Sequence, residues 1–99
     1  MEPDAVVGKL IEIHREYQND SGADDADRVT ADSRPLADLK GFDSDFIPEI
    51  VRRVARELDC PLKKGVRVKN IYVEKGRKLT IREIARKLVE KYSPKRCKV

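Results

Sequence analysis

The most pointed chemistry in the sequence lies in Gly41-Phe42-Asp43-Ser44-Asp45. A serine at the mouth of an amphipathic helix can cap backbone amides. It can also bear a phosphodiester, which the positive end of the helix dipole and its unpaired amides would favour. Such a serine is exposed, follows a loop and stands on a rigid element, and that suits a covalent, phosphate-linked prosthetic group. The other reactive residues do not converge. His14 is the only histidine, and on the apolar side of a helix it reads as a core-edge residue rather than a base. Cys60 and Cys97 lie 37 positions apart, which is neither a metal knuckle nor a disulfide framework. Asp24, Asp25 and Asp27 lack the glutamate of a calcium loop and read as a solvated acidic loop. The glycines are scattered and form no phosphate loop. No stand-alone enzyme is expected.

The elements that must position Ser44 follow from periodicity. Val6, Val7, Leu10, Ile11, His14 and Tyr17 recur at steps of three and four, which predicts a helix from Asp4 to Gln18. Residues 19–42 read as a long loop, with Leu36, Leu39 and Phe42 pinning its far end. A second helix begins after Asp43-Ser44-Asp45, with Asp45 or Ser44 as its N-cap and Pro48 in its first turn. Its stripe is Phe46, Ile47, Ile50, Val51, Val54, Ala55 and Leu58, and Cys60-Pro61 ends it. Residues 62–79 stay open. Val66 and Val68 alternate with Arg67 and Lys69, as in a strand. A turn at Glu74-Lys75-Gly76-Arg77 fits a hairpin running on from Lys78 to Ile81, or the segment is a loop with one helical turn at Asn70 to Val73. Thr80-Ile81-Arg82-Glu83 is a capping box opening a last helix, which continues through Ile84, Ala85, Leu88, Val89 and Tyr92 to Ser93-Pro94. The expected core is Val7, Leu10, Ile11, Phe46, Ile50, Val54, Leu58, Ile71, Ile81, Ile84 and Leu88.

With 99 residues, 39% of them hydrophobic and 40% charged, the chain supports one modest core. A single domain over residues 1–94 is expected, with a basic flexible tail at 95–99. No apolar run approaches the roughly 20 residues that span a bilayer. No stretch resembles a secretory signal, so a cytoplasmic location is expected. The net charge of +4 hides an asymmetry. Residues 1–49 hold 13 acidic and 5 basic side chains, and residues 50–99 hold 17 basic and 5 acidic. The halves either neutralise each other within the fold or face different partners, the basic half meeting an acidic surface, a phosphate or a nucleic acid.

The segment from about Leu36 to Tyr92 resembles the acyl carrier protein family, and with the first helix the resemblance covers nearly the whole chain. Asp43, Ser44 and Asp45 stand where the family has Asp-Ser-Leu before its second helix. The run Val54-Ala55-Arg56-Glu57-Leu58-Asp59-Cys60-Pro61-Leu62 and the opening Leu79-Thr80-Ile81-Arg82-Glu83-Ile84 of the last helix are similar to the family's. The resemblance implies an all-α fold, a three- or four-helix bundle with a long first loop, in which a short β-hairpin within 66–81 would be atypical. It implies that Ser44 carries 4′-phosphopantetheine, attached by a transferase that uses coenzyme A, and that the arm's thiol holds an acyl group as a thioester. Asp43 would shape the attachment site and orient the serine. The implied partners are that transferase and acyl-loading or acyl-using enzymes, with no membrane and with the chain a monomer. Asp45 replaces the family's leucine, so Phe46 or Ile47 would supply the apolar contact. Arg52, Arg53 and Arg56 stand on a helix that is acidic in the family. Together Asp45, Phe46, Ile47, Arg52, Arg53 and Arg56 form the expected partner surface, facing acidic partners.

Two rival readings remain. A carrier-like fold used purely for interaction would keep Ser44 bare and dock through the arginines. A nucleic-acid-binding domain would use the basic half, but Ser93-Pro94 leaves no room for a recognition helix and base-stacking aromatics are scarce.

Overall fold

One long helix organises the molecule. In a computed structural model that describes residues 3–22, 24–39, 41–58, 62, 68 and 70–92, helix α1 runs over Pro3–Asp20. It is followed by a 3-10 turn at Ala26–Arg28 and a four-residue helix α2 at Pro35–Asp38. A second 3-10 turn at Ser44–Phe46 leads into α3, Ile47–Glu57. Two-residue strands β1, Val73–Glu74, and β2, Arg77–Lys78, precede α4, Ile81–Tyr92. The fold is mostly helical with one small antiparallel hairpin, and α1 packs on both α3 and α4. No helix among the described residues is long and apolar enough to cross a membrane. The sequence expectations for Cys60-Pro61, for residues 63–67 and 69, and for Ser93-Pro94 and the tail lie outside the described residues.

The buried stripe of α1 is Val6, Leu10, Ile13, His14 and Gln18, with Val7, Ile11 and Tyr17 half-buried beside it. It is rotated from the expected face because α1 is covered on several sides at once. Ile50, Val54, Ile71, Ile81, Ile84 and Leu88 are buried as expected, and Leu58 packs against them. Phe46 corrects the expectation: it is 38% exposed, because the 3-10 turn lets the buried register of α3 begin at Ile47, which is 1% exposed.

The long connection between α1 and α3 is not bare loop. Ser33 Oγ accepts from the Thr30 amide at 3.0 Å. The carbonyls of Ser33 and Ala31 accept the Ile81 and Arg82 amides, both at 2.9 Å. The loop therefore satisfies two amides of α4 that have no intrahelical partner. Asp38 closes α2 by accepting the Arg34 amide at 2.8 Å. The acidic stretch divides. Asp24 and Asp27 are exposed, but Asp25 is buried and accepts from Gln18 Nε2 at 2.8 Å.

The hairpin alternative for the open segment is realised in its turn, but its second strand is Arg77–Lys78 rather than Lys78 to Ile81, because the capping box at Thr80 already opens α4 at Ile81. Lys75 and Gly76 have φ of 50° and 79°, and the paired residues are Val73 with Lys78 and Glu74 with Arg77. Positive φ at both central positions is the two-residue turn whose twist suits a hairpin, and glycine takes the second at no steric cost. The capping box forms as expected: Thr80 Oγ1 accepts the Glu83 amide at 3.2 Å, and Glu83 Oε1 accepts the Thr80 amide at 3.0 Å.

His14 is not at the core edge but inside it, with no exposure. Its Nδ1 lies 2.6 Å from the Leu10 carbonyl, and its Nε2 lies 2.9 Å from the Tyr72 hydroxyl. A carbonyl only accepts, so Nδ1 carries the proton and the hydroxyl donates to Nε2. Burial pushes the imidazole down from 6.5 to about 4, with the Leu10 carbonyl opposing. In the unfolded chain the same residue takes its proton near 6.5. Stability is therefore full above that value and is lost as pH falls toward 4, by about 3 kcal/mol. Urea unfolding between pH 7 and pH 4.5 should show this loss in the wild-type chain. In His14→Gln, whose side chain does not titrate, the dependence over that window should flatten.

Candidate functional site

Ser44 opens the 3-10 turn that leads into α3, and it is exposed. The residue before it does the capping. Asp43 has extended backbone, and its Oδ1 accepts the Asp45 amide at 3.2 Å. Asp43 therefore caps the 3-10 turn, and α3 itself has Phe46 at its N-cap with no side-chain cap, so neither Asp45 nor Ser44 is the N-cap. Ser44 Oγ caps nothing. Its hydroxyl donates to the same Asp43 Oδ1 at 3.3 Å. One carboxylate thus fixes the turn and orients the hydroxyl of the residue it exposes.

The segment is held by aromatic rings on both sides of Ser44. Phe42 stacks on Tyr72 at 5.8 Å with an interplanar angle of 15°, and its ring lies 5.2 Å from that of His14. Phe42 and Phe46 are 5.9 Å apart, and Tyr17 meets Phe46 edge-on at 5.5 Å. Each such pair contributes about 0.5–1.5 kcal/mol beyond its burial. The Tyr17 hydroxyl is pushed above its usual range, first by desolvation and then by the Glu49 carboxylate. The row runs from the buried His14 to the exposed Phe46, and two of its members, Phe42 and Phe46, flank Ser44 in the chain. Sequence reasoning found Phe42 and Phe46 as apolar positions. It missed the row, because His14 and Tyr72 are 58 residues apart and nothing local pairs them.

The expected partner surface separates into two parts. Asp45, Phe46, Arg52 and Arg56 are exposed along the start and outer side of α3. Ile47 is buried and does not reach a partner. Arg53 turns toward α1, where Nη2 meets Glu16 Oε2 at 2.6 Å while Nε meets Glu57 Oε2 at 2.6 Å. Lys9 adds a 3.2 Å contact to Glu57 and a 3.3 Å contact to Glu12. The guanidinium first and Lys9 second hold the Glu57 carboxyl below its usual range. This clasp joins α1 to α3 and removes Arg53 from the surface set. The pairs Glu16–Arg53 and Asp32–Arg82 join the acidic half to the basic half, so part of the charge asymmetry is internal.

Among the described residues no three His, Cys, Asp or Glu side chains are placed to hold a metal ion. A pocket of about 230 Å³ lies between the hairpin and α4, away from Ser44 in the chain. Its walls alternate in sign, and Glu74–Lys87 at 2.7 Å and Arg77–Glu83 at 3.1 Å pair within it. No family model, curated protein or solved structure matches the chain.

The division between Asp43 and Ser44 makes opposite forecasts for two neighbouring substitutions. Asp43→Ala removes a cap and should cost about 1 kcal/mol. Ser44→Ala removes no cap and should change stability by less than about 0.5 kcal/mol. Urea midpoints of the two variants measure the difference directly.

Proposed function

We propose that the chain is a carrier protein whose Ser44 bears 4′-phosphopantetheine, with an acyl group or related intermediate held as a thioester on the arm. One observation carries the reading: Asp43 takes the capping role, so Ser44 has an exposed hydroxyl with no structural duty and a carboxylate to orient it. The residues suit the group. Helix α3 begins three residues beyond Ser44, and its dipole favours a negative group at that end. Asp43 and Asp45 oppose it with like charge, but both are exposed and screened by salt. When bound, the arm supplies a thiol for thioester formation and a flexible reach that keeps cargo at high effective concentration near successive active sites.

The chain's own residues do the rest. Asp43 holds the Ser44 hydroxyl in one orientation for the incoming transferase. Phe42 and Phe46 fix the segment from either side. Phe46 offers an apolar contact beside the attachment point, and Arg52 and Arg56 offer positive charge further along α3. Partners of this carrier are enzymes with an acidic rim, because like-charge rims would be repelled. The resemblance of the Asp43-Ser44-Asp45 segment and its flanking helices to the acyl carrier protein family supports the same reading.

The test is intact-mass spectrometry after incubation with coenzyme A and a broad-specificity phosphopantetheinyl transferase. The expected result is a gain of one phosphopantetheine in the wild-type chain and none in Ser44→Ala. A gain that persists in Ser44→Ala would contradict the assignment of the site.

A further inference from the structure

The buried His14–Tyr72 pair has no part in the carrier reading, yet the residues around Ser44 rest on it. Both rings contact Phe42, at 5.2 Å and 5.8 Å. Phe42 lies two residues before Ser44 and touches Phe46, two residues after it. Ser44 is thus flanked in the chain by two phenylalanines, of which Phe42 rests on a pair joined by a hydrogen bond of 2.9 Å and Phe46 on Tyr17 as well. Tyr72 is itself held from both chain directions. Its amide donates to Asn70 Oδ1 at 3.0 Å, and its carbonyl accepts the Leu79 amide at 2.9 Å. His14 is anchored to the rigid backbone of α1 through Leu10.

We propose that the His14–Tyr72 hydrogen bond sets the position of the Ser44 segment through Phe42, making His14 and Tyr72 positioning residues for the chemistry at Ser44. The interior is closely packed, so a change at the pair must be taken up by the rings against it. The bond has one stable arrangement. Nδ1–H is committed to a carbonyl, so Nε2 must accept and the tyrosine must donate. A proton added at Nε2 would reverse the bond, with Nε2–H donating and the Tyr72 hydroxyl turning to accept, and would set a positive charge among the rings. The titratable groups that bear on the pair are few. Tyr72 faces Nε2 directly, and Tyr17 acts on Tyr72. Tyr17 in turn lies within the influence of Glu49 and Arg53 from α3 and of Glu16 from α1. The buried face of α4, with Ile81, Ile84, Ala85 and Leu88, is apolar. Surface charge thus reaches the pair through Tyr17, and Phe42 is the ring of the Ser44 segment that both members of the pair contact.

The consequence for modification rests on the carrier reading, but the coupling itself does not. NMR of the full-length chain tests it, with Tyr72→Phe beside the wild type. The phenyl ring still stacks on Phe42, while the donor to Nε2 is gone. In the variant, His14 Nε2 loses its partner and the His14 ring signals should shift. The ring signals of Phe42 and Phe46 and the Ser44 amide should shift with them. In the wild-type chain the same signals should move on acidification with the His14 midpoint. If the chain is a carrier, the transferase should also modify Tyr72→Phe with a kcat lowered roughly tenfold to hundredfold and KM little changed. Phe42, Phe46 and Ser44 signals that stay fixed in the variant would overturn the proposal. So would wild-type signals that first move together with the whole spectrum, since the pair would then be a general core contact. Should Tyr72→Phe fail to fold, the wild-type titration decides alone. A chain that is never modified would still show the shifts, so failure of the carrier reading and failure of the coupling are separable.

Discussion

A single buried hydrogen bond, from the Tyr72 hydroxyl to His14 Nε2, ties together parts of the chain that local structure would leave separate. It joins α1 to the segment ahead of the hairpin and creates the surface on which Phe42 stacks. Two polar groups inside a small core are costly unless each is satisfied. Here each is, because the Leu10 carbonyl fixes the histidine tautomer and Asn70 fixes the tyrosine backbone. The geometry of the exposed segment is thus set from within. Phe42 and Phe46 carry that order outward, and Ser44 stands between them.

At the surface the same economy appears in the use of carboxylates. Asp43 serves two groups with one oxygen, the Asp45 amide and the Ser44 hydroxyl. Glu57 likewise joins Arg53 and Lys9, and so locks α3 against α1. These exposed ion pairs are each worth little alone, but in a clasp across two helices they share the cost of ordering the side chains. The clasp also sorts the arginines of α3. Arg53 belongs to the fold, while Arg52 and Arg56 lie on the outer side.

Much of this was legible in the sequence wherever the cause is local. The capping box at Thr80 and Glu83, the stripe of α3 and the hairpin turn at Lys75-Gly76 each depend on residues a few positions apart. Ser44 was legible as a chemical candidate from its place before the stripe. What was not legible depends on distant partners. His14 looked like an edge residue because the tyrosine that satisfies it comes 58 residues later. Asp25 looked solvated because Gln18, which buries with it, reads as polar surface. Phe46 looked like core because a 3-10 turn shifts the start of the buried register by one residue. Arg53 looked like its neighbours until Glu16 was brought beside it. Neither Asp45 nor Ser44 caps α3 because a 3-10 turn capped by Asp43 precedes it.

The central claim, that Ser44 is an attachment point rather than a cap, is tested most directly on the chain isolated from its own cells. Peptide mapping by mass spectrometry reads the state of the fragment that contains Ser44. The account predicts phosphopantetheine on Ser44, bare or acylated at its thiol, in a substantial fraction of the molecules. A fragment found unmodified throughout, from protein shown to be folded, would contradict it.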